Sequence, residues 1–124
     1  GVVDLTTSEL TDALLGAAGL GDIGALFPPD DPQFKDADSM DLLRRAYVMV
    51  QDRGLRLGNA DATIYVDAPR LGPYRDALCA SLAETLRTDR ERLNVKFKTL
   101  EGLGPLSGAS FIAAHVIVLL ESLD

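Results

Sequence analysis

Two glycine-spaced loops carry the polar residues best suited to chemistry in this chain. The first is Gly19-Leu20-Gly21-Asp22-Ile23-Gly24, where one carboxylate stands between glycines. Glycine takes the left-handed conformation at low cost, so such a loop turns tightly and can bring backbone N–H groups close to a ligand. A carboxylate there accepts from a ligand hydroxyl or caps the next helix; the residues alone leave both roles open for Asp22. The second loop runs from Thr99 through Glu101 to Gly108 and sets a hydroxyl and a carboxylate ahead of another glycine run. Loops at the ends of strands and helices commonly hold ligands. The other reactive types occur singly: Cys79 beside Ala and Leu, and His115 in an apolar run. They do not amount to a tetrahedral zinc set. Cys79 reads as a small core residue and His115 as a packed one. No G-x-x-x-x-G-K-[ST] phosphate loop occurs.

Helices and strands must present these loops. Leu10, Leu14 and Ala17/Ala18 share a helical face. Thr6 precedes Glu9 at capping-box spacing, which predicts a short helix starting there and ending at Gly19 and Gly21. Val2 and Val3 are compatible with a strand end. Three prolines and two aspartates between Leu26 and Pro32 predict an extended loop. Ser39 can cap a second helix with the stripe Leu42, Leu43, Ala46, Tyr47 and Val50, stopped by Gly54. Ala62–Val66 is β-branched and aromatic and predicts a strand. Gly72-Pro73 opens a third helix with the stripe Leu78, Leu82 and Leu86, and Arg87–Arg92 reads as a solvated turn. Leu93, Val95 and Phe97 alternate with Asn94, Lys96 and Lys98, a half-buried strand. Ala109 to Leu123 fits a strand or a helix. This alternation predicts an α/β (α+β) fold, a single domain over residues 1–124 with one mixed β-sheet packed against helices.

Composition narrows the partners. The chain has 124 residues and a formal net charge of −7, which argues against nucleic-acid binding. No apolar run reaches the roughly 18–20 residues of a membrane span; Phe111 to Leu120 is about half as long. A lone cysteine and no visible leader pattern point to a reducing, cytoplasmic setting.

The segments Thr11-Asp12-Ala13-Leu14-Leu15-Gly16-Ala17-Ala18, Gly21-Asp22-Ile23-Gly24 and Leu26-Phe27-Pro28 strongly resemble the 2-C-methyl-D-erythritol 2,4-cyclodiphosphate synthase family. The resemblance continues through Asp31-Pro32, Phe34-Lys35, Ala37-Asp38-Ser39, Gly58-Asn59, Ala68-Pro69-Arg70, Asn94-Val95-Lys96, Thr99, Glu101 and Leu103-Gly104, in order and over nearly the whole chain. It implies a homotrimer with active sites at subunit interfaces. It also implies conversion of 4-diphosphocytidyl-methylerythritol 2-phosphate to the cyclic diphosphate with release of CMP, in the non-mevalonate isoprenoid pathway. Zinc held by one Asp and two His, and a second ion, magnesium or manganese, would neutralise and position the phosphates.

By the same resemblance, Asp22 and Gly24 bind substrate. Thr99 and Glu101 serve the nucleotide and the second metal, and Asp22, Thr99 and Glu101 form the catalytic set. Ala68, Pro69, Arg70 and Leu71 form the cytidine pocket, and Lys98 adjoins the phosphates. Ala109 to Leu120 becomes a strand along a threefold axis, with His115 facing that axis. Three such histidines could gather an anion or a metal.

The chain also departs from the family. Gly1 to Ser8 aligns with all but the first residue of His-Ser-Asp-Gly-Asp-x-x-x-His, so Asp4 keeps the last acidic position and Ser8 stands at a zinc-binding His. The family's N-terminal strands with their Asp-x-His pair do not appear. Lys98 replaces the first threonine of Thr-Thr-x-Glu, Pro29 an acidic residue, Gly108 an arginine and Ser110 a glutamate. These losses lead to the expectation of a divergent, binding or structural relative, impaired in zinc-dependent cyclisation, that takes a cytidine nucleotide or an isoprenoid phosphate. The alternative is a genuine synthase seen as an incomplete chain. A third reading is another phosphate-ester chemistry using Asp22, Lys98 and Glu101.

Overall fold

A computed structural model describes residues 1–66, 72–99 and 112–124. Strands β1 (Leu55–Val66), β2 (Leu93–Lys98) and β3 (Ile112–Ser122) form one mixed sheet in the order β2-β1-β3. β1 runs parallel to β2 and antiparallel to β3. Helices α1 (Val2–Ala17), α3 (Ser39–Asp52) and α4 (Gly72–Leu86) pack against the sheet, and a single turn, α2 (Ile23–Leu26), follows α1. Leu10, Leu14, Leu43 and Val50 meet Leu57, Ala60, Ala62, Ile64, Leu93 and Val95 in the core. The opposite face of β3 shows His115, Ile117 and Leu119, the last two 61% and 65% exposed. Among the described residues, no helix is long and apolar enough to cross a membrane.

β1 is longer than the predicted Ala62–Val66 because a bulge breaks its alternation. Leu57 pairs with Leu120 and Asn59 with Leu119, leaving Gly58 as the extra residue. The pleat is thereby reset, so Leu57 and Ala60 both face the helices although they are three apart. A Cβ at Gly58 would lie 3.1 Å from the Leu119 carbonyl oxygen, a tight approach to backbone that favours glycine at the bulge. Its polar groups are satisfied from outside the ladder. The Leu57 amide donates to the buried Tyr47 hydroxyl at 3.0 Å, and the Arg92 guanidinium donates to the Leu57 and Gly58 carbonyls at 3.3 and 3.2 Å.

α1 starts at Val2 rather than at Thr6, and Val2 and Val3 are helical rather than a strand end. Thr6, Thr7 and Thr11 continue the buried stripe of Leu10 and Leu14 back to the first turns, a period hidden by their hydroxyls. Thr7 and Thr11 donate to the carbonyls of Val3 and Thr7, each four residues back, at 2.7 and 2.9 Å. The Thr6 hydroxyl is buried without a protein partner among the described residues. Asp38, not Ser39, caps α3 by accepting the Met40 amide at 3.1 Å; the Ser39 hydroxyl donates to Asp4 Oδ1 at 2.9 Å. The proline-rich stretch folds as consecutive turns, with the amides of Asp31, Phe34 and Ala37 donating to the carbonyls of Pro28, Asp31 and Phe34. The α4 stripe Leu78, Leu82 and Leu86 is buried as predicted. Burial pushes the Cys79 thiol upward, as expected of an inert core cysteine.

On the open face, Asp61 joins β1 to β2. It accepts from Lys96 Nζ at 2.8 Å and Asn94 Nδ2 at 2.9 Å, and these two hydrogen bonds, Lys96 first, hold its carboxyl below the usual range. A lowered folded value stabilises the protein above the unfolded value and is lost as pH falls through the folded one. Asp61→Asn should therefore lower the urea midpoint at neutral pH and shrink its fall below the ordinary value of 3.8; an unchanged acid limb would refute the assignment. Thr6→Val should raise stability by about 1 kcal/mol, since it removes a buried hydroxyl that no protein group satisfies. A lower denaturation midpoint would refute that.

Candidate functional site

The Asp22 loop is built by three short-range devices. Leu20 ties back to α1 through its amide and the Leu15 carbonyl at 2.8 Å. Gly19 and Gly21 then take φ of +71° and +99°, which only glycine adopts without strain. Asp22 is extended and caps α2, its Oδ1 accepting the Ala25 amide at 2.8 Å. The cap read from the sequence is present, and it engages one carboxylate oxygen. Oδ2 and the Gly24 amide have no hydrogen bond to the described residues. The Ile23 amide donates to Asp12 Oδ1 of α1 at 2.8 Å.

Gly24 has a different status from the turn glycines. It does not adopt the left-handed conformation, and an added Cβ would meet only Asp22 Oδ1, at an ordinary 3.7 Å. Nothing inside the described chain requires glycine at this position. A bare backbone there leaves room for close approach by another group.

The second group of expected site residues is carried by other elements. Lys98 ends β2 in register with Tyr65, and Thr99 follows it; both are exposed. No hydrogen bond or ion pair joins either of them to Asp22 or Gly24 among the described residues. Ala68, Pro69, Arg70, Leu71 and Glu101, with the rest of the second glycine loop, lie outside the described residues. His115 stands on the open face of β3 opposite Thr63.

Ser8 is half-buried on α1, one turn from Asp4 and one from Asp12. Both flanking carboxylates are engaged, Asp4 by the Ser39 hydroxyl and Asp12 by the Ile23 amide. A neutral hydroxyl is a poor substitute for the imidazole, thiolate or carboxylate that zinc takes. No group of three or more His, Cys, Asp or Glu is placed to hold a metal ion among the described residues. These residues do not fit the zinc that the family resemblance implies.

Two further features were not legible in the sequence. Arg56 and Arg92 share the Glu121 carboxylate, at 2.8 and 3.1 Å. A cavity of about 590 Å³ beside them is lined by Arg44, Tyr47, Thr85 and Arg87, and by none of Asp22, Gly24, Lys98 or Thr99. Both depend on side chains brought together from distant segments, which no local motif records.

Comparison with known proteins connects this geometry to a family. The YgbB family pattern matches residues 3–121. The chain is 53% identical over 117 residues to 2-C-methyl-D-erythritol 2,4-cyclodiphosphate synthase of Moorella thermoacetica, covering 94% of this chain and 72% of that protein. Its fold matches a solved 2-C-methyl-D-erythritol 2,4-cyclodiphosphate synthase in a CDP-bound form, with a TM-score of 0.82 and 43% identity over 93% of this chain and 74% of that one. It also matches the bifunctional IspDF of Campylobacter jejuni, with a TM-score of 0.88 and 42% identity, over 97% of this chain and 32% of that longer one. With a pattern match over almost its full length and relatives near half identity, this chain belongs to the YgbB family, the family of 2-C-methyl-D-erythritol 2,4-cyclodiphosphate synthases.

Proposed function

We propose that this chain forms the substrate-holding core of a 2-C-methyl-D-erythritol 2,4-cyclodiphosphate synthase. The observation that carries the reading is the Asp22-Ile23-Gly24 loop. A carboxylate oxygen and a backbone amide there have no hydrogen-bond partner among the described residues, in a fold that matches a CDP-bound synthase. Identity near one half to proteins named as synthases supports activity over impairment.

In the proposed reaction, an oxygen of the substrate's 2-phosphate bonds to the diphosphate phosphorus nearer the methylerythritol. The bond from that phosphorus to the bridging oxygen breaks, and CMP leaves with the electron pair. Asp22 accepts from a substrate hydroxyl, and the Gly24 backbone allows close approach. Lys98 places an ammonium against phosphate charge, and Thr99 donates its hydroxyl. Ala68, Pro69, Arg70 and Leu71 hold the cytidine. No hydrogen bond or ion pair joins the Asp22 and Lys98 groups among the described residues, which fits an interfacial site in a homotrimer with His115 facing its axis; a cytoplasmic setting belongs to the same reading. No step is assigned to zinc.

Ser8 favours a second reading, a family member that binds a cytidine diphosphate or an isoprenoid phosphate without turning it over. Incubating the full-length protein with 4-diphosphocytidyl-methylerythritol 2-phosphate separates the two. CMP release at a rate proportional to enzyme supports the synthase. Saturable CDP binding without CMP release overturns it in favour of the binding protein. Gly24→Ala should leave the denaturation midpoint unchanged or slightly raised, because helical Ala is favoured over Gly by about 1 kcal/mol, and should weaken CDP binding. Unchanged CDP affinity would remove Gly24 from the site.

A further inference from the structure

We infer that Asp12 is the positioning residue of the Asp22 loop, a role that deepens the proposed function and rests on it for its catalytic consequence. The loop leaves α1 through two glycines in the left-handed conformation, Gly19 and Gly21. Leu20, between them, is partly buried against the apolar clusters, while a Cβ added at either glycine would meet nothing within 4 Å. Leu20 is anchored to Leu15 before the second glycine. Beyond Gly21, the hydrogen bond from the loop to another element among the described residues is Ile23 N–H to Asp12 Oδ1, at 2.8 Å and partly buried.

The other hydrogen bonds near it are internal to the turn. The Ala25 amide donates to the Asp22 carboxylate, the Leu26 amide to the Asp22 carbonyl and the Phe27 amide to the Ile23 carbonyl. They fix the shape of the turn but not its place on the protein. Partly buried Ile23 and Leu26 add apolar contact with Leu15 and Phe27, which is non-directional and does not set the rotation of the turn. A hydrogen bond to a carboxylate is directional and stronger than one between neutral groups. Asp12 stands on α1, whose buried stripe is packed into the core, so its carboxylate is a fixed point. Asp12 thereby sets where Asp22 Oδ2 and the Gly24 backbone face, without itself touching substrate.

The test uses the full-length protein with Asp12→Ala and Asp12→Asn, which keeps a side-chain oxygen able to accept from Ile23. Two readouts separate positioning from general stability: hydrogen exchange of the Ile23 amide and CDP affinity by calorimetry. Asp12→Ala should speed exchange at Ile23 at least tenfold while core amides such as Ile64 keep their protection. It should weaken CDP binding about tenfold, the loss of one charge-assisted hydrogen bond. Asp12→Asn should restore most of both. Uniformly faster exchange across the core would assign Asp12 to stability alone and overturn the inference. So would unchanged Ile23 exchange, or faster Ile23 exchange with unaltered CDP affinity. If the wild-type protein neither binds CDP nor releases CMP, the proposed function fails, and the Ile23 exchange alone then decides whether Asp12 positions the loop.

Discussion

The bulge at Gly58 is the constraint on which the rest of this sheet depends. β1 is the only strand paired on both edges among the described residues, so its register is shared by β2 and β3. One extra residue at Gly58 lets Leu57 and Ala60 face the same helical layer. Without it, the period of two would turn one end of the strand outward. A bulge leaves backbone groups outside the ladder, and buried groups of that kind are costly unless paired. Tyr47 from α3 takes the Leu57 amide, and Arg92, just before β2, takes the two carbonyls. One irregular residue thus ties a helix and the approach to a neighbouring strand to the central one. The Glu121 carboxylate of β3 completes the arrangement by pairing with Arg92 and Arg56.

Polar side chains on α1 do related work at the other end of the fold. Its apolar stripe fixes the helix in the core, and its polar flank makes lateral hydrogen bonds. Asp4 receives the Ser39 hydroxyl at the start of α3, and Asp12 receives the Ile23 amide at the start of α2. Ser8 stands between them on the same flank, at the position where the family resemblance implies a zinc ligand. Neither tie uses the Ser8 hydroxyl.

Much of the fold was legible in the residues. The α3 and α4 stripes, the alternating strand from Leu93 and the glycine stops at Gly19, Gly21 and Gly54 occur where short-range rules put them. The errors share a cause. The start of α1 was hidden because three buried threonines count as polar although two of them return their hydroxyls to the helix backbone. The first half of β1 was hidden because the bulge interrupts its period. Asp38 took the cap expected of Ser39 because either side chain can reach the first turn, and Ser39 found Asp4 instead. The sequence showed Asp22 as a cap or a ligand-facing group, and the geometry allows both, since capping engages one of two oxygens.

Gly24 and Gly58 show how a glycine can be read once its surroundings are known. Gly58 is glycine for the protein's own sake: a Cβ would press on the Leu119 carbonyl. Gly24 has room for a Cβ and an ordinary backbone, so intrachain sterics give no reason for it. A residue that costs conformational entropy and relieves no clash with the described residues leaves its backbone open to another group. Asp22 and Asp12, on either side of the same turn, strengthen the argument. One carboxylate shapes the turn and the other locates it, and the unshielded backbone lies between their two hydrogen bonds at Ile23 and Ala25. A turn held at two points around a bare backbone atom is the arrangement expected where a ligand must approach the main chain closely.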